Sequence, residues 1–412
     1  MFDHLINTTE HALVDLEERL FNASFERKLC FVENWITEKK QVQLTYFIGT
    51  DWIIKGEKAI YVAPKINSEI CELNFLKMLF DSINNSEISS HTKDLFDIKF
   101  EEPYIEIKQT QDVLTPLLVL QFLKTVQNIV RKGLRKSYYR VENNLSGRIK
   151  GKVMVSKTIK ENIFKNRLLN TYCNYDEFGL NGYENRILKK ALLFVQRYLS
   201  TLRSAHSIDY ITSMASYVLP AFESISSEVD INEIRPTKPN VFYKEYEGAI
   251  KLAKLIMKRF GHNLTNIHDR EVTLTPPFWI NMAKLFEIYV LAHLKNAFGN
   301  SVKYHFSTYG NELDFLLNTS KYKMVIDAKY KPIYFESLRH QDIRQVSGYA
   351  RLQKVYKELG KEENENIDCL IVYPNQEKGL DNLLNAEFEK IPQYVNIYKV
   401  GIKLPIVKPA NK

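Results

Sequence analysis

The sequence predicts a mixed α/β, multi-domain chain, with an N-terminal α+β domain over 1–155, a helical middle region over 156–269 and a C-terminal α/β domain over 270–412. Three observations carry this. At 412 residues the chain exceeds the ~250–300 residues at which single cores stop growing. Apolar periodicity switches along the chain, from β-rich runs near the start to helical spacing in the middle. After Pro276-Pro277 the pattern reads helix, strand, strand, strand, helix, strand.

Composition narrows the class. Hydrophobic residues make up 45% and aromatics 12%, enough for substantial cores and against global disorder. The balance of 57 basic against 49 acidic residues, net +8, is compatible with a polyanionic partner without requiring one. Cys30, Cys71, Cys173 and Cys369 are widely separated with no CxxC spacing, which argues against structural zinc and suits a reducing cytoplasm. The start, MFDHLINTTEHALVDLEERLF, is acidic and amphipathic, unlike a secretory signal, and the most apolar stretch, Val113 to Leu123, is too short to span a bilayer. A cytoplasmic, soluble protein is expected.

Within residues 40–64 two β-rich runs flank a Lys55–Lys58 turn containing Gly56. Residues 74–135 carry mostly helical spacing. The run RKGLRKSYYR at 131–140 suits phosphates and bases, but it equally suits the solvated end of a helix, where cations complement the dipole; we weigh the second reading more heavily. LSGRIKGKVMV at 145–155 has strand character. It fails as a nucleotide loop, because Ser146 replaces the first glycine and Val153 the final hydroxyl residue of GxxxxGK[ST]. From Glu184, Ile187, Leu188, Ala191, Leu192, Val195 and Leu199 form one helical stripe. A second helix spans 247–260, with a loop over 225–242 between them.

The last domain opens with an expected helix, FWINMAKLFEIYVLAHLKNAF, apolar nearly all round except for Glu287. A carboxylate on such a face is costly unless it meets a cation, a metal or donors; pairing with Lys284 is the ordinary alternative. Strands are expected at 301–306, 312–317 and 322–330. Residues two apart in a strand share a face, so Asp327 and Lys329 project together. Pairing Leu317 with Tyr322 would set Asp314 opposite Val325 and diagonal to Asp327. A surface ladder of salt bridges is the ordinary alternative, but three charges within otherwise apolar strands point to chemistry. Phosphodiester hydrolysis uses such a group, with carboxylates for Mg²⁺ and a lysine beside the scissile phosphate. On the next helix Gln345 and Tyr349 share a face, and CLIVYP at 369–374 reads as a strand buried on both sides.

The order Glu287, Asp314, Asp327-Ala328-Lys329, Gln345 resembles the PD-(D/E)XK nuclease core, αβββαβ, with Leu313 in place of the signature proline. Most of the chain resembles the McrC family, through YFIG and IYVAPK, LSGRI, YDEFGLNGYENRILKKAL, IDAKYK and RQVSGYARL. That resemblance implies a type IV restriction endonuclease subunit acting on modified double-stranded DNA beside an AAA+ GTPase of the McrB type. It implies Mg²⁺ held by Asp314, Asp327 and the Ala328 carbonyl, with Glu287 completing the acidic set, Lys329 stabilising the transition state and Gln345 assisting. It also implies that the N-terminal region docks on the GTPase. The rivals are a non-catalytic adaptor on a nuclease fold and a stand-alone nuclease.

Overall fold

The computed structural model describes residues 4–20, 31–33, 41–66, 72–83, 95–99, 101–108, 111–112, 114–201, 209–229, 244–263, 272–331, 340–384 and 386–407. Cys30, Cys71 and most of the expected 225–242 loop lie outside them. The fold is mixed α/β and groups into two compact units, Met1–Asp112 with Glu271–Lys412, and Val113–Arg270. These limits differ from the three expected segments in two ways: the chain's two ends share one unit, and residue 155 falls inside the other.

In the first part of unit 1, β1 (Leu5–Thr9) runs parallel to β3 (Lys58–Ala63), which turns back at Gly56 from β2 (Phe47–Ile54). Helix α1 (Phe75–Ile83) and the short β4 (Phe96–Ile98) follow. Six successive residues of β2 are buried. It is a central strand, so both its faces are covered.

Unit 2 starts with α2 (Leu114–Lys132), whose 12 buried residues make it the core helix. Two ten-residue strands, β5 (Ser137–Ser146) and β6 (Asn170–Gly179), then pair antiparallel along their whole length. This ladder crosses residue 155, which is why no boundary forms there. Helices α3 (Tyr183–Thr201), α4 (Asp209–Val218) and α5 (Lys244–Asn263) complete the unit. The expected stripe from Ile187 to Leu199 is buried. The basic run at 131–140 straddles the end of α2 and the start of β5. There Lys132 pairs with Glu245, and Arg135 with Glu184 at 2.9 Å, so those two cations serve the unit's own fold.

The chain then returns to unit 1. Phe278–Asn281, expected as helix, forms β7, which lies between β2 and β4 and pairs antiparallel with both. The backbones approach closely: a Cβ on Gly49 would sit 2.2 Å from the Phe278 carbonyl oxygen. The helix α6 (Met282–Phe298) begins only after Asn281, whose side chain accepts the Lys284 N–H at 3.0 Å and caps it. Next come β8 (Val302–Thr308), β9 (Asn311–Asn318), β10 (Lys323–Ala328), α7 (His340–Tyr349), α8 (Gln353–Leu359), β11 (Asp368–Pro374), β12 (Glu389–Lys390) and β13 (Ile397–Ile402). They build a six-stranded sheet in the order β8-β9-β10-β11-β13-β12. The β8-β9-β10 meander is antiparallel, and β10, β11 and β13 run parallel. Ile343 and Val346 of α7 and Val355 and Leu359 of α8 pack with Leu316, Val325, Cys369 and Ile371 of the sheet into one core. Among the described residues no helix is long and apolar enough to cross a membrane.

Candidate functional site

Thr319 decides the register at the centre of this sheet. Its backbone N–H donates to the Tyr322 carbonyl and its hydroxyl accepts the Tyr322 N–H, each at 2.8 Å. That closes a turn holding Tyr322 out of the strand, so Asn318 faces Lys323 and Phe315 faces Ile326. Continued one step, the register sets Asp314 across from Asp327. The pairing expected from the sequence, Leu317 with Tyr322, is therefore off by two residues. The correction tightens the acidic pair, because directly opposed residues lie closer than diagonal ones.

Both aspartates are withdrawn from water, and Asp327 is only 2% exposed. Asp314 Oδ2 accepts the Ala328 N–H at 2.9 Å, linking β9 to the end of β10. Lys329 Nζ lies 2.8 Å from Asp327 Oδ2, yet off the line of a hydrogen bond, leaving that buried oxygen without a hydrogen-bond partner. Burial, then the facing Asp327 and nearby Glu287, push the Asp314 carboxyl up to about 8, against the opposing pull of the Ala328 N–H and Lys329. Burial also raises Asp327, with Lys329 resisting. For Lys329 itself, burial acts to lower the pKa, but Asp327, Asp314 and Asp342 outweigh it and hold the ammonium above the ordinary lysine value. The site thus carries a firmly charged cation beside two carboxyls that resist joint ionisation.

Gln345 is brought in from α7. Its Oε1 accepts from Lys329 Nζ at 2.9 Å, and its Nε2 donates to the Tyr349 hydroxyl at 2.9 Å, the i, i+4 neighbour expected on that face. Glu287 lies close enough to raise Asp314, but its Oε1 is engaged by Lys284 Nζ at 3.1 Å and His305 Nε2 at 2.7 Å. The ion pair left open as an alternative is thus present. Among the described residues no group of three or more His, Cys, Asp or Glu side chains is set to hold a metal ion, so the three acids are neighbours without forming a closed cage.

Two participants escaped the sequence reading. Asp342, in the first turn of α7, receives Lys331 Nζ on both carboxylate oxygens at 2.9 and 2.8 Å and adds to the charge felt by Asp327. The two-residue step from Lys329 to Lys331 was its only signal. His305 stands across β8 from Asp314 by the register Tyr304–Phe315 and Phe306–Leu313, with left-handed backbone at φ 51°, and its Nδ1 lies 2.9 Å from Glu312. Nothing in the strand pattern announces that twist.

With this geometry in place, comparison with known proteins gives two kinds of match. A family model described as McrBC 5-methylcytosine restriction system component matches residues 42–374. Among solved structures, the chain is similar to one in a refined half-complex from a tetradecameric assembly of Thermococcus gammatolerans McrB AAA+ hexamers with bound McrC. There the TM-score is 0.41 and the identity 14%, covering 97% of this chain and 94% of that one. It is also similar to a chain of the Thermococcus gammatolerans McrBC complex determined by cryo-EM, with a TM-score of 0.30 and 13% identity over 70% of this chain and 87% of that one. A search of curated proteins finds no match.

Proposed function

The chain belongs to the McrBC 5-methylcytosine restriction system component family, and from that premise we propose that it is the DNA-cutting subunit of such a system. In this reading the sheet from β8 to β13, flanked by α6 and α7, is a PD-(D/E)XK endonuclease core, and the activity is Mg²⁺-dependent hydrolysis of phosphodiester bonds in DNA carrying modified bases. The observation that carries the proposal is the opposed, buried Asp314–Asp327 pair with the Lys329 ammonium 2.8 Å from Asp327 Oδ2.

The donor set fits a hard divalent cation. Two carboxyls meet across adjacent strands, one buried carboxylate oxygen has no hydrogen-bond partner, and the joint charge is unfavourable until a cation offsets it. Asp314 and Asp327 would hold the ion with the Ala328 carbonyl, and Glu287 would join through its second oxygen or act from behind its Lys284 and His305 contacts. When bound, Mg²⁺ supplies Lewis-acid polarisation of a phosphoryl oxygen and a lower water pKa. Lys329 contributes a fixed point charge at the developing phosphorane. Gln345 holds that ammonium from the α7 side and is itself held by Tyr349.

We also propose that the chain works with an AAA+ GTPase of the McrB type, since the family is that of a multi-component system. The surface we assign to this partner lies at the β5–β6 end of unit 2, where Ile149, Val155, Phe164, Leu168 and Leu169 are all more than half exposed. Apolar groups concentrated in one short stretch of surface mark an interaction site more often than scattered ones do.

The test is a cleavage assay on methylated and unmethylated duplex DNA with Mg²⁺, with and without the GTPase partner. Cutting is expected only with Mg²⁺, and Asp327→Ala should lower it at least ~10³-fold while leaving the fold intact, because the metal supplies several kcal/mol of transition-state stabilisation. Undiminished cutting by that variant would remove the site assignment.

A further inference from the structure

Immediately after Lys329 the chain leaves the sheet under three separate restraints. The Lys329 N–H still donates to the Val372 carbonyl at 2.9 Å, the last rung to β11. The Lys331 N–H folds back to the Lys329 carbonyl at 2.7 Å, a tight three-residue turn centred on Tyr330. The Tyr330 carbonyl, turned outward by that fold, accepts a hydrogen bond at 2.8 Å from the ammonium of Lys65, 265 residues earlier in the chain.

Lys65 is built for this contact. It follows β3 directly, and its Nζ lies 4.2 Å from the centre of the Tyr330 ring and 4.9 Å from that of Tyr46. Its own N–H points to Glu10 Oε1 at 3.4 Å. Glu10 follows β1 and is 2% exposed, as is Tyr330. The carboxyl lies beside the Tyr330 phenol, whose pKa burial and Glu10 both raise. Burial pushes Glu10 up to about 7 and Lys65 down to about 8, each partly offset by the other. A buried ion pair is costly to assemble for stability alone, and a packed apolar pair would serve stability as well. What the pair supplies that an apolar one cannot is a donor aimed at one main-chain carbonyl.

We propose that Lys65, braced by Glu10, is a positioning residue for the nuclease reaction: it fixes the turn at Tyr330 and thereby the direction in which Lys329 presents its ammonium. The proposal rests on the nuclease reading for its effect on cutting, but the anchoring itself does not. Lys329 is otherwise restrained only at its ends, by β11 at its N–H and by Gln345 at its Nζ. Freeing the Tyr330 carbonyl releases the γ-turn, which has one short hydrogen bond to hold it. The same turn leads into Lys331 and its two contacts with Asp342, so α7 and Gln345 depend on it as well.

The experiment uses the full chain with its partner and compares Lys65→Met combined with Glu10→Gln, which keeps the volume and removes both charges, with Glu10→Gln alone, which keeps the donor. Two readouts are taken: hydrogen exchange of the 329–331 amides in the full chain, and kcat and KM for DNA. For the double variant we expect exchange at 329–331 to speed up about 10-fold while β10 and β11 stay protected, and kcat to fall about 10-fold with KM unchanged, as for loss of an outer partner of a catalytic group. Glu10→Gln alone should match wild type in both. Unchanged exchange in the double variant overturns the anchoring, whatever the activity. Faster exchange with unchanged kcat overturns the positioning role. A wild-type complex that cuts no DNA defeats the nuclease reading, while the exchange result still decides the anchor.

Discussion

Asp314→Asn isolates the charge conflict at the centre of the site. In the folded chain the Asp314 carboxyl titrates near 8 against an ordinary 3.8, so folding takes up a proton between those values. The sign follows: this group's contribution to stability is complete below about pH 4 and is lost progressively as the pH rises through 8. At 1.36 kcal/mol per unit, the interval sets a ceiling of roughly 5–6 kcal/mol at pH 8. Relaxation of the site and entry of water reduce that to a few kcal/mol in practice. An asparagine keeps an oxygen for the Ala328 N–H and removes the charge. The variant should therefore be more stable than wild type in EDTA at pH 8, by about 2–4 kcal/mol, and nearly equal to it at pH 4. At ~2–4 °C per kcal/mol for a unit of this size, the shift in Tm is about 5–10 °C. Mg²⁺ should reverse the order, stabilising wild type as the ion offsets the two carboxylates and leaving the variant almost unmoved. Thermal unfolding from pH 4 to 8, with EDTA and with Mg²⁺, reads all of this. A metal-free variant less stable than wild type at pH 8 would show that the two aspartates do not conflict, and the reasoning fails.

Lys329→Ala should lower turnover with little change in Mg²⁺ affinity, and arginine should rescue poorly because a planar fork replaces a compact charge; a Mg²⁺ titration of cleavage separates the two effects. Glu287→Gln should cost about 10–100-fold in cleavage, less than Asp327→Ala, since its Oε1 is already committed to Lys284 and His305; wild-type activity would reduce it to a structural ion pair. A chain ending at residue 266 should lose the fold of its first 112 residues while unit 2 keeps its helices. It lacks β7, and with it Trp279, whose indole N–H donates to the buried Asp51 at 3.1 Å. Limited proteolysis should cut such a chain first within 1–112, and equal resistance across it would contradict this.

Much of the site could be read from the sequence because strand periodicity is local. The two-residue step from Asp327 to Lys329, and the apolar setting of both, follow from β10 alone. The facing of Asp314 and Asp327 depends on one turn, and there a threonine hydroxyl overrode the simplest reading of the hairpin. Glu287 was identifiable as an anomaly, but its partners His305 and Tyr304 come from β8, outside the helix on which the anomaly was visible. Asp342 became part of the site only through Lys331, a contact between a strand end and a helix with no spacing rule behind it.

The larger departure concerns Pro276-Pro277. A proline pair restricts the backbone before it and reads naturally as a border between domains. Here it separates two strands that both pair back onto the first 112 residues: Val272–Thr275 onto Ile105–Lys108, and β7 onto β2 and β4. The run FWIN was drawn into the expected helix because it is apolar and contiguous with MAKLFEIYV, and periodicity cannot separate a short buried strand from a buried helical turn. Its tryptophan, phenylalanine and isoleucine are strand formers, and Asn281 is a cap, so the local chemistry favoured the observed break. The consequence reaches function. Because the helix bearing Glu287 starts on a strand of the N-terminal sheet, and Lys65 grips the chain beyond Lys329, the first 112 residues are part of the structure that aims the candidate site. A division in which the front of the chain docks and the back cuts does not match that arrangement. The segment free to act on a partner is unit 2, inserted between the two halves of the unit that carries the site.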